Sequence, residues 1–479
     1  MVSTPDRYVP LMSIEALDCH AAPDRRLNGD WMYELGRHFR AMRERYPTDQ
    51  LCIVFDIDGT IIDTRYLVRT ILLESDRHWG TNDFRFLTVD DVDVYEGNIE
   101  PLLEQWVSDP DHRRRVRAYF RSELWHPRTT LNANQPYPGV MELIRWFQLQ
   151  RDTVVALVTG RPEALRASTL GAFDSLTVDY RVRVASENLL MHQRPQDQAV
   201  ALGKVEALHQ LVRRGYRLTA VIDNEPVNLD AMAGADESGD VIFLHADTIF
   251  QSTKRPLIRA YAGRDYDLGC LVTESDLGEH TMLVHASVDT ASRLEAAVAG
   301  PVDWIELPIL IDPYGCIEMP GDLDAMGTLS SIRRAGKAVR LDLRAAGVAE
   351  QASLLLRASS FTDDRVWFSG NIDVLGRTEF QCLREAWPSA IISTALDDLS
   401  ALVFAVPETT RDTLGLLHRW GVNRVSIDWG LPQARRLLAR LESWGYDVDV
   451  RVVGERASAM AAAVLLPTSV TSAAFRTVV

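Results

Sequence analysis

Asp56-Ile57-Asp58-Gly59-Thr60 places two carboxylates two positions apart, directly after the apolar run LCIVF at 51–55. On a turn leaving a strand, carboxylates at that spacing converge on one point, and Gly59 lets the chain turn there. Three more elements follow in order at the ends of predicted strands: Thr159-Gly160-Arg161 after VVALV, Lys204 at the opening of a helix, and Asp223-Asn224 after LTAVI. Each alone has an ordinary structural use, Thr159 as a helix cap and Lys204 as a solvated helix residue. Together, carboxylate, hydroxyl, ammonium and carboxylate make a set that can hold Mg2+ and a phosphoryl group. Mg2+ wants hard oxygen ligands and keeps several waters. A phosphoryl in transfer needs its charge neutralised and its nucleophile in line. A calcium loop is disfavoured: that pattern wants glycine sixth and glutamate twelfth, where Ile61 and Leu67 stand. No GxxxxGKS or GxxxxGKT occurs, which excludes a fused P-loop kinase.

The elements that must position these groups read as an α/β unit. Short apolar, β-branched runs recur at 51–55, 154–158, 182–185, 218–222 and 241–244, with helical stretches such as 138–149 and 204–214 between them. Strand alternating with helix predicts a parallel sheet with right-handed crossovers, its ligand site beyond the C-terminal strand ends. Residues 1–48 read as a leader ending in a helix, with Trp31, Leu35, Phe39 and Met42 at helical spacing. The unit carrying these groups is placed at 49–250. Within it, 62–137 is too long for a loop, polar and helical in pattern, and reads as a cap over the site. Residues 251–278 read as a linker. In 279–479, eight apolar runs (282–286, 304–310, 339–343, 366–368, 390–393, 402–406, 425–429 and 448–453) predict a compact (β/α)8 barrel.

Composition sets the frame. The chain has 479 residues, 46 % hydrophobic and 25 % charged, which is ordinary for a globular protein and excludes wholesale disorder, collagen and coiled coil. A net charge of −16 disfavours broad binding to phosphate backbones. The five cysteines have no CxxC spacing, which disfavours a zinc ribbon or a disulfide framework. They fit free thiols in a reducing cytoplasm. The N-terminus carries no basic n-region or apolar h-region, so no signal peptide is expected. The late apolar run 461–466 is far too short to span a bilayer.

DIDGT at 56–60, VTGR at 158–161, Lys204 and IDNEP at 222–226 resemble the four motifs of the haloacid dehalogenase superfamily of phosphohydrolases. The resemblance covers about 50–250, and PYPGVMELI at 136–144 is similar to that family's usual return from its C1 cap. It implies a Rossmann-like sheet, Mg2+ as cofactor and a small phosphorylated substrate. It implies that Asp56 is the nucleophile, forming an aspartyl-phosphate, and that Asp58 is general acid and then general base. Thr159 would hydrogen-bond the phosphoryl oxygens and Lys204 would neutralise charge. Asp223 would bind the metal with Asp56 and the Asp58 backbone carbonyl. Gly59, Thr60, Gly160 and Arg161 would contact substrate. Where the family often has a second aspartate stands Asn224, which can still orient a metal-bound water but brings no charge. An aspartate at 58 points toward phosphatase, because it supplies the proton for an oxygen leaving group. TGRPEALRASTL (159–170) and LLMHQRP (189–195) also loosely resemble the phosphatase domain of polynucleotide kinases, which implies a nucleic-acid 3′-phosphate as an alternative substrate.

A second set lies in the C-terminal half: His285 ends the first barrel run, Glu306 lies in the second, Asp342 in the third, and Asn371 follows the fourth. Residues at the C-terminal ends of barrel strands face the site. Two readings stand. The histidine and carboxylates bind a metal or act as acid and base, or His285 is a core histidine and the carboxylates pair internally with Arg344 or Arg424. HASVD (285–289), WIELPILID (304–312), VRLDLR (339–344), VWFSGNI (366–372) and LLPTSVTSAAF (465–475) resemble the menorin family, relatives of the glycerophosphodiester phosphodiesterases. That family's His-Arg, Glu-x-Asp and second histidine are broken here by Ala286, by Pro308 and by CIEMPGD (316–322). The resemblance therefore implies a degenerate barrel. Either the barrel only binds, or it cuts a diester whose monoester the N-terminal half then hydrolyses.

Overall fold

The computed structural model describes residues 30–132, 135–192, 200–248, 260–278, 280–321 and 323–475. The N-terminal half is built on a six-stranded, all-parallel sheet: β1 (Leu51–Phe55), β2 (Thr153–Pro162), β3 (Leu189–His192), β4 (Arg217–Asp223), β5 (Ile242–Ala246) and β6 (Ala260–Gly263). Their order is β3-β2-β1-β4-β5-β6. All five residues of the central β1 are buried, as its unbroken apolar run requires. On one face pack the helices Trp31–Arg45 and Val140–Leu149, where Phe39 meets Trp146 and Phe147 edge-on at 5.5 and 5.2 Å. Asp30 starts the first of these by accepting from the Met32 and Tyr33 amides. The rest of the expected leader, residues 1–29, lies outside the described residues.

Between β1 and the helix Val140–Leu149 stands a helical insert with its own apolar core, including Leu67, Ile71, Phe84, Leu103, Val116 and Phe120. Its two stems are stitched together: Asp63 N donates to Gln135 O at 2.8 Å and Tyr137 N to Ile61 O at 2.9 Å.

Two expectations for this half are corrected. The run 182–185 is not a strand. Arg181 turns left-handed (φ 57°) to end the preceding helix, and the strand beside β2 forms at the apolar triplet Leu189-Leu190-Met191 instead. The stretch expected to be a linker contributes β6 to the sheet edge and two short helices, Leu268–Leu271 and Glu274–Leu277. AYAG is a short edge strand with one fully buried residue, Ala260, and no β-branched residue to mark it as a strand. Residues 251–259 lie outside the described residues.

The C-terminal half is a closed ring of eight parallel strands: β7 (Met282–His285), β8 (Trp304–Ile311), then, past the two-residue β9 (Ile317–Glu318), β10 (Ala338–Leu343), β11 (Val366–Gly370), β12 (Ile391–Ala395), β13 (Arg424–Asp428), β14 (Asp447–Val452) and β15 (Ser469–Ser472). Pairing of β15 with β7 and of β8 with β10 closes the ring, and β9 lies antiparallel on the end of β8. Seven of the eight expected runs are barrel strands. The exception, 402–406, holds the short helix Leu402–Ala405, and the eighth strand is the polar segment SVTS at 469–472. Its serine and threonine hydroxyls bond Asp449 inside the barrel, which is why no apolar run marks it.

The halves meet through ion pairs: Arg181–Glu442, Arg435–Glu142, Arg436–Asp179 (2.9 Å) and Arg456–Glu274 (2.7 Å). Among the described residues, no helix is long and apolar enough to cross a membrane.

Candidate active site

The turn after β1 is held by its own backbone. Gly59 N donates to Ile62 O at 2.9 Å, and the Ile61 and Ile62 amides both donate to Ile57 O at 2.8 Å. Gly59 sits at φ +75°, and a Cβ there would come within 2.3 Å of Asn224 Nδ2. Glycine is thus fixed both by conformation and by space. The turn presents Asp56 and Asp58 beyond the strand ends, where β2 brings Thr159 and Arg161 and β4 brings Asp223.

Lys204 Nζ lies 2.7 Å from Asp56 Oδ1 and 2.6 Å from Asp223 Oδ2. All three side chains are buried. Asp223 Oδ1 accepts from the Glu225 amide at 2.8 Å. Arg161 grips Asp58 with two parallel bonds, Nε to Oδ2 at 2.8 Å and Nη2 to Oδ1 at 2.7 Å. Its backbone amide also donates to Thr159 Oγ1 at 3.1 Å. The sequence-derived set Asp56, Asp58, Thr159, Arg161, Lys204, Asp223 and Asn224 is therefore brought together at one place, with the Gly59–Thr60 turn packed against Asn224. Thr159 and Lys204 also line a cavity of about 630 Å3, shared with Arg166, Met191, His192 and Arg214.

Three carboxylates meet two cations here. Burial pushes the Asp56 carboxyl well up from its ordinary value, with the Asp223 and Asp58 charges adding to it and Lys204 opposing. Burial alone would lower Lys204, but Asp223 and Asp56 outweigh it and hold the ammonium charged. Asp56 and Asp223 already converge on one cationic centre, and their oxygens are hard donors. The donor set and its excess negative charge fit a divalent cation such as Mg2+. Among the described residues, no three His, Cys, Asp or Glu side chains are grouped to hold a metal by themselves, and the Asp58 carboxylate is turned to Arg161.

Two neighbours escaped the sequence reading. Glu96, from the cap, is buried beside the turn. Its carboxyl is pushed up to about 8, first by burial and then by the Asp58 charge, and Oε2 accepts from Thr64 Oγ1 at 3.3 Å. Tyr266, from the connecting segment, donates to the Thr60 carbonyl at 2.8 Å. Neither carries a motif. Glu96 looks like any polar cap residue, and Tyr266 lies 206 positions from its partner.

Residues 51–236 match the family model of haloacid dehalogenase-like hydrolases. This stretch is a haloacid dehalogenase-like hydrolase domain. Among curated proteins, none matches the chain in sequence. Solved structures similar to parts of the chain include a glycerophosphodiester phosphodiesterase from Agrobacterium tumefaciens (15 % identity, 40 % of this chain and 96 % of that one, TM-score 0.29). They also include a HAD-superfamily hydrolase, subfamily IA, from Geobacter sulfurreducens (12 % identity, 46 % and 93 %, TM-score 0.30). A third is CbbY from Rhodobacter sphaeroides in complex with phosphate (14 % identity, 46 % and 96 %, TM-score 0.30).

In the barrel, His285, Asp342 and Asn371 lie at or near the ends of neighbouring strands and Glu306 lies early in β8, but the carboxylates are already paired. Glu306 Oε2 lies 3.1 Å from Arg340 Nε, and its Oε1 accepts from the Ser287 amide at 3.1 Å. Asp342 pairs with Arg344 at 2.6 Å, and Asn371 caps the helix Ile372–Ala386. Of the two arginines named as partners from the sequence, only Arg344 takes one of these carboxylates. Arg424 instead lies over the Trp367 ring, and Glu306 is taken by Arg340. Arg340 continues to Asp449 Oδ2 at 2.8 Å and Thr471 Oγ1 at 2.7 Å. Asp449, with no exposed surface, accepts also from Ser426, Ser469 and Thr471.

Proposed function

We propose that the hydrolase domain is a Mg2+-dependent phosphomonoesterase acting through an aspartyl-phosphate at Asp56 on a small phosphorylated substrate, and that the barrel contributes binding rather than chemistry. The observation that carries the reading is the convergence of Asp56 and Asp223 on Lys204 beside an Asp58 held in a guanidinium fork. Mg2+ would be held by Asp56, Asp223 and the Asp58 backbone carbonyl, with Asn224 orienting a bound water. When bound, it would supply positive charge to the phosphoryl oxygens.

The protein's own groups divide the work in two steps. An Asp56 carboxylate oxygen attacks phosphorus, the bond to the leaving oxygen breaks, and that oxygen takes a proton from Asp58. Water then attacks phosphorus in the Asp56 acyl phosphate and gives its proton to Asp58; the bond from phosphorus to the Asp56 oxygen breaks, and inorganic phosphate leaves with the Asp56 carboxylate restored. Thr159 donates to a phosphoryl oxygen, and Lys204 balances charge on nucleophile and phosphoryl. Arg161 keeps the Asp58 carboxyl oriented, with Gly59, Thr60 and Gly160 shaping the backbone around the phosphoryl. The barrel reading is favoured by Glu306: its oxygens are occupied by Arg340 and Ser287, so it is tied up in structure.

A phosphate-release screen of the full chain with Mg2+ tests this, across sugar phosphates, nucleotides, glycerol phosphates and 3′-phosphorylated oligonucleotides. The expected result is release from one class of small monoester, lost in Asp56→Asn. Release from the oligonucleotides alone would move the reading to a polynucleotide 3′-phosphatase. Silence across the panel, p-nitrophenyl phosphate included, would overturn the phosphatase reading.

A further inference from the structure

Tyr266 lies outside the stretch matched to the hydrolase family, in the segment running from β6 to the barrel. Its side chain is buried, and its phenol donates to the Thr60 carbonyl at 2.8 Å. Thr60 belongs to the turn that carries Asp56 and Asp58. The other bonds of that turn come from its own residues, from strand neighbours or from the return of the insert, where Tyr137 N donates to Ile61 O, whereas this one reaches in from beyond the last strand of the sheet.

Tyr266 is itself fixed on three sides. Its ring tilts against Trp31 at 5.0 Å, and Trp31 Nε1 donates to the neighbouring Asp265 carbonyl at 3.0 Å. Its carbonyl lies where a Cβ on Gly139, at the return from the cap, would come within 2.3 Å. Just beyond it, Asp267 caps the helix Leu268–Leu271 by accepting from the Gly269 amide at 2.7 Å. Arg456 of the barrel donates to the carbonyls of Gly269 (3.1 Å) and Val272 (3.2 Å) and pairs with Glu274 at 2.7 Å. Contacts therefore run without a break from a barrel arginine to the turn behind Asp56.

We propose that Tyr266 is a positioning residue for the Asp56–Asp58 turn, acting through the Thr60 carbonyl, and that the barrel keeps it in place through Arg456. In-line displacement tolerates little error: a shift of about 1 Å at a reacting group costs roughly 100-fold. A carbonyl anchored by a buried phenol limits that shift. The kinetic arm of the test below rests on the phosphatase reading, and the exchange arm does not.

The test uses the full chain with Tyr266→Phe, which keeps the ring against Trp31 and removes only the hydroxyl. Two quantities are measured: hydrogen–deuterium exchange across 57–63, and steady-state kinetics on p-nitrophenyl phosphate with Mg2+. The expected result is faster exchange at the Gly59, Ile61 and Ile62 amides, with kcat lowered roughly 5- to 10-fold and KM little changed, the scale of one hydrogen bond. Trp387→Phe loses a buried indole bond to Ser353 Oγ (2.7 Å) in the barrel and serves as a destabilised control. It should keep wild-type exchange at 57–63 and wild-type kcat per folded molecule. Unchanged exchange at 57–63 in Tyr266→Phe overturns the proposal, as does a wild-type kcat alongside a loosened turn. If the wild-type chain leaves the ester untouched, the phosphatase reading is decided by the wider panel and exchange alone decides on Tyr266. Should Tyr266→Phe not fold, Arg456→Gln carries the same two readouts, with smaller effects expected.

Discussion

Arg161 holds both oxygens of Asp58 in a fork, with 3 % of the arginine side chain and 13 % of the aspartate exposed. A buried bidentate pair fixes orientation as well as charge. Arg161→Lys keeps the charge and loses the fork, so kcat should fall roughly 10- to 100-fold, the worth of one bond to a charged group. The loss should be larger for alkyl phosphates than for p-nitrophenyl phosphate, whose leaving group needs no proton. Asp58→Asn should show the same ordering more steeply, and equal slowing of both esters would contradict an acid role for Asp58.

Asp56→Asn removes the nucleophile while keeping nearly the same shape. Turnover should fall by about 10³-fold or more. Circular dichroism and thermal unfolding should remain those of a folded protein. Normal turnover in this variant would refute the covalent route.

Glu96 predicts a pH dependence of stability. Its folded-state value is raised to about 8 by burial, so the folded protein holds that proton more tightly than the unfolded chain does. Its stabilisation is present below the ordinary glutamate range of about 4.3 and is lost as pH rises through about 8. Glu96→Gln has no such proton to lose. Its melting temperature should pull ahead of wild type between about pH 5 and 8, and the gap should be constant above that. Parallel curves across the window would show that Glu96 is ionised in the fold.

Arg340→Met leaves Glu306 and Asp449 as buried carboxylates without their cation. Unfolding in urea should show a loss of about 3–5 kcal/mol, the usual result of breaking a buried pair from one side. Turnover of p-nitrophenyl phosphate per folded molecule should stay at the wild-type level if the barrel takes no part in the chemistry.

The sequence was most readable where one physical cause dominated. LCIVF and VVALV are strands covered on both faces, so they had to be continuously apolar, and the carboxylates and hydroxyl stand at the ends of such runs, with the lysine on the helix Val200–Arg213. Reading failed where two causes competed. SVTS at 469–472 is a barrel strand, yet its hydroxyls serve Asp449, and polarity hid the strand. Leu402 and Phe404 have strand-like composition but sit on a short, partly exposed helix, where burial never imposed alternation. Tyr266 and Glu96 owe their places to partners distant along the chain, and single-sequence periodicity carries no trace of such pairings.

The seam of the barrel has a consequence for synthesis. Ser469–Ser472 lies between β14 and β7, so the ring stays open along one side until that segment has been made. Until then Asp449 lacks the Ser469 and Thr471 hydroxyls, and Arg340 lacks one of its oxygens. A chain emerging from the ribosome would have the whole hydrolase sheet synthesised well before the barrel could shut. The last-made strand is then the step that commits the barrel, and substitutions at Ser469 or Thr471 should show themselves first as poor yield of folded protein during expression.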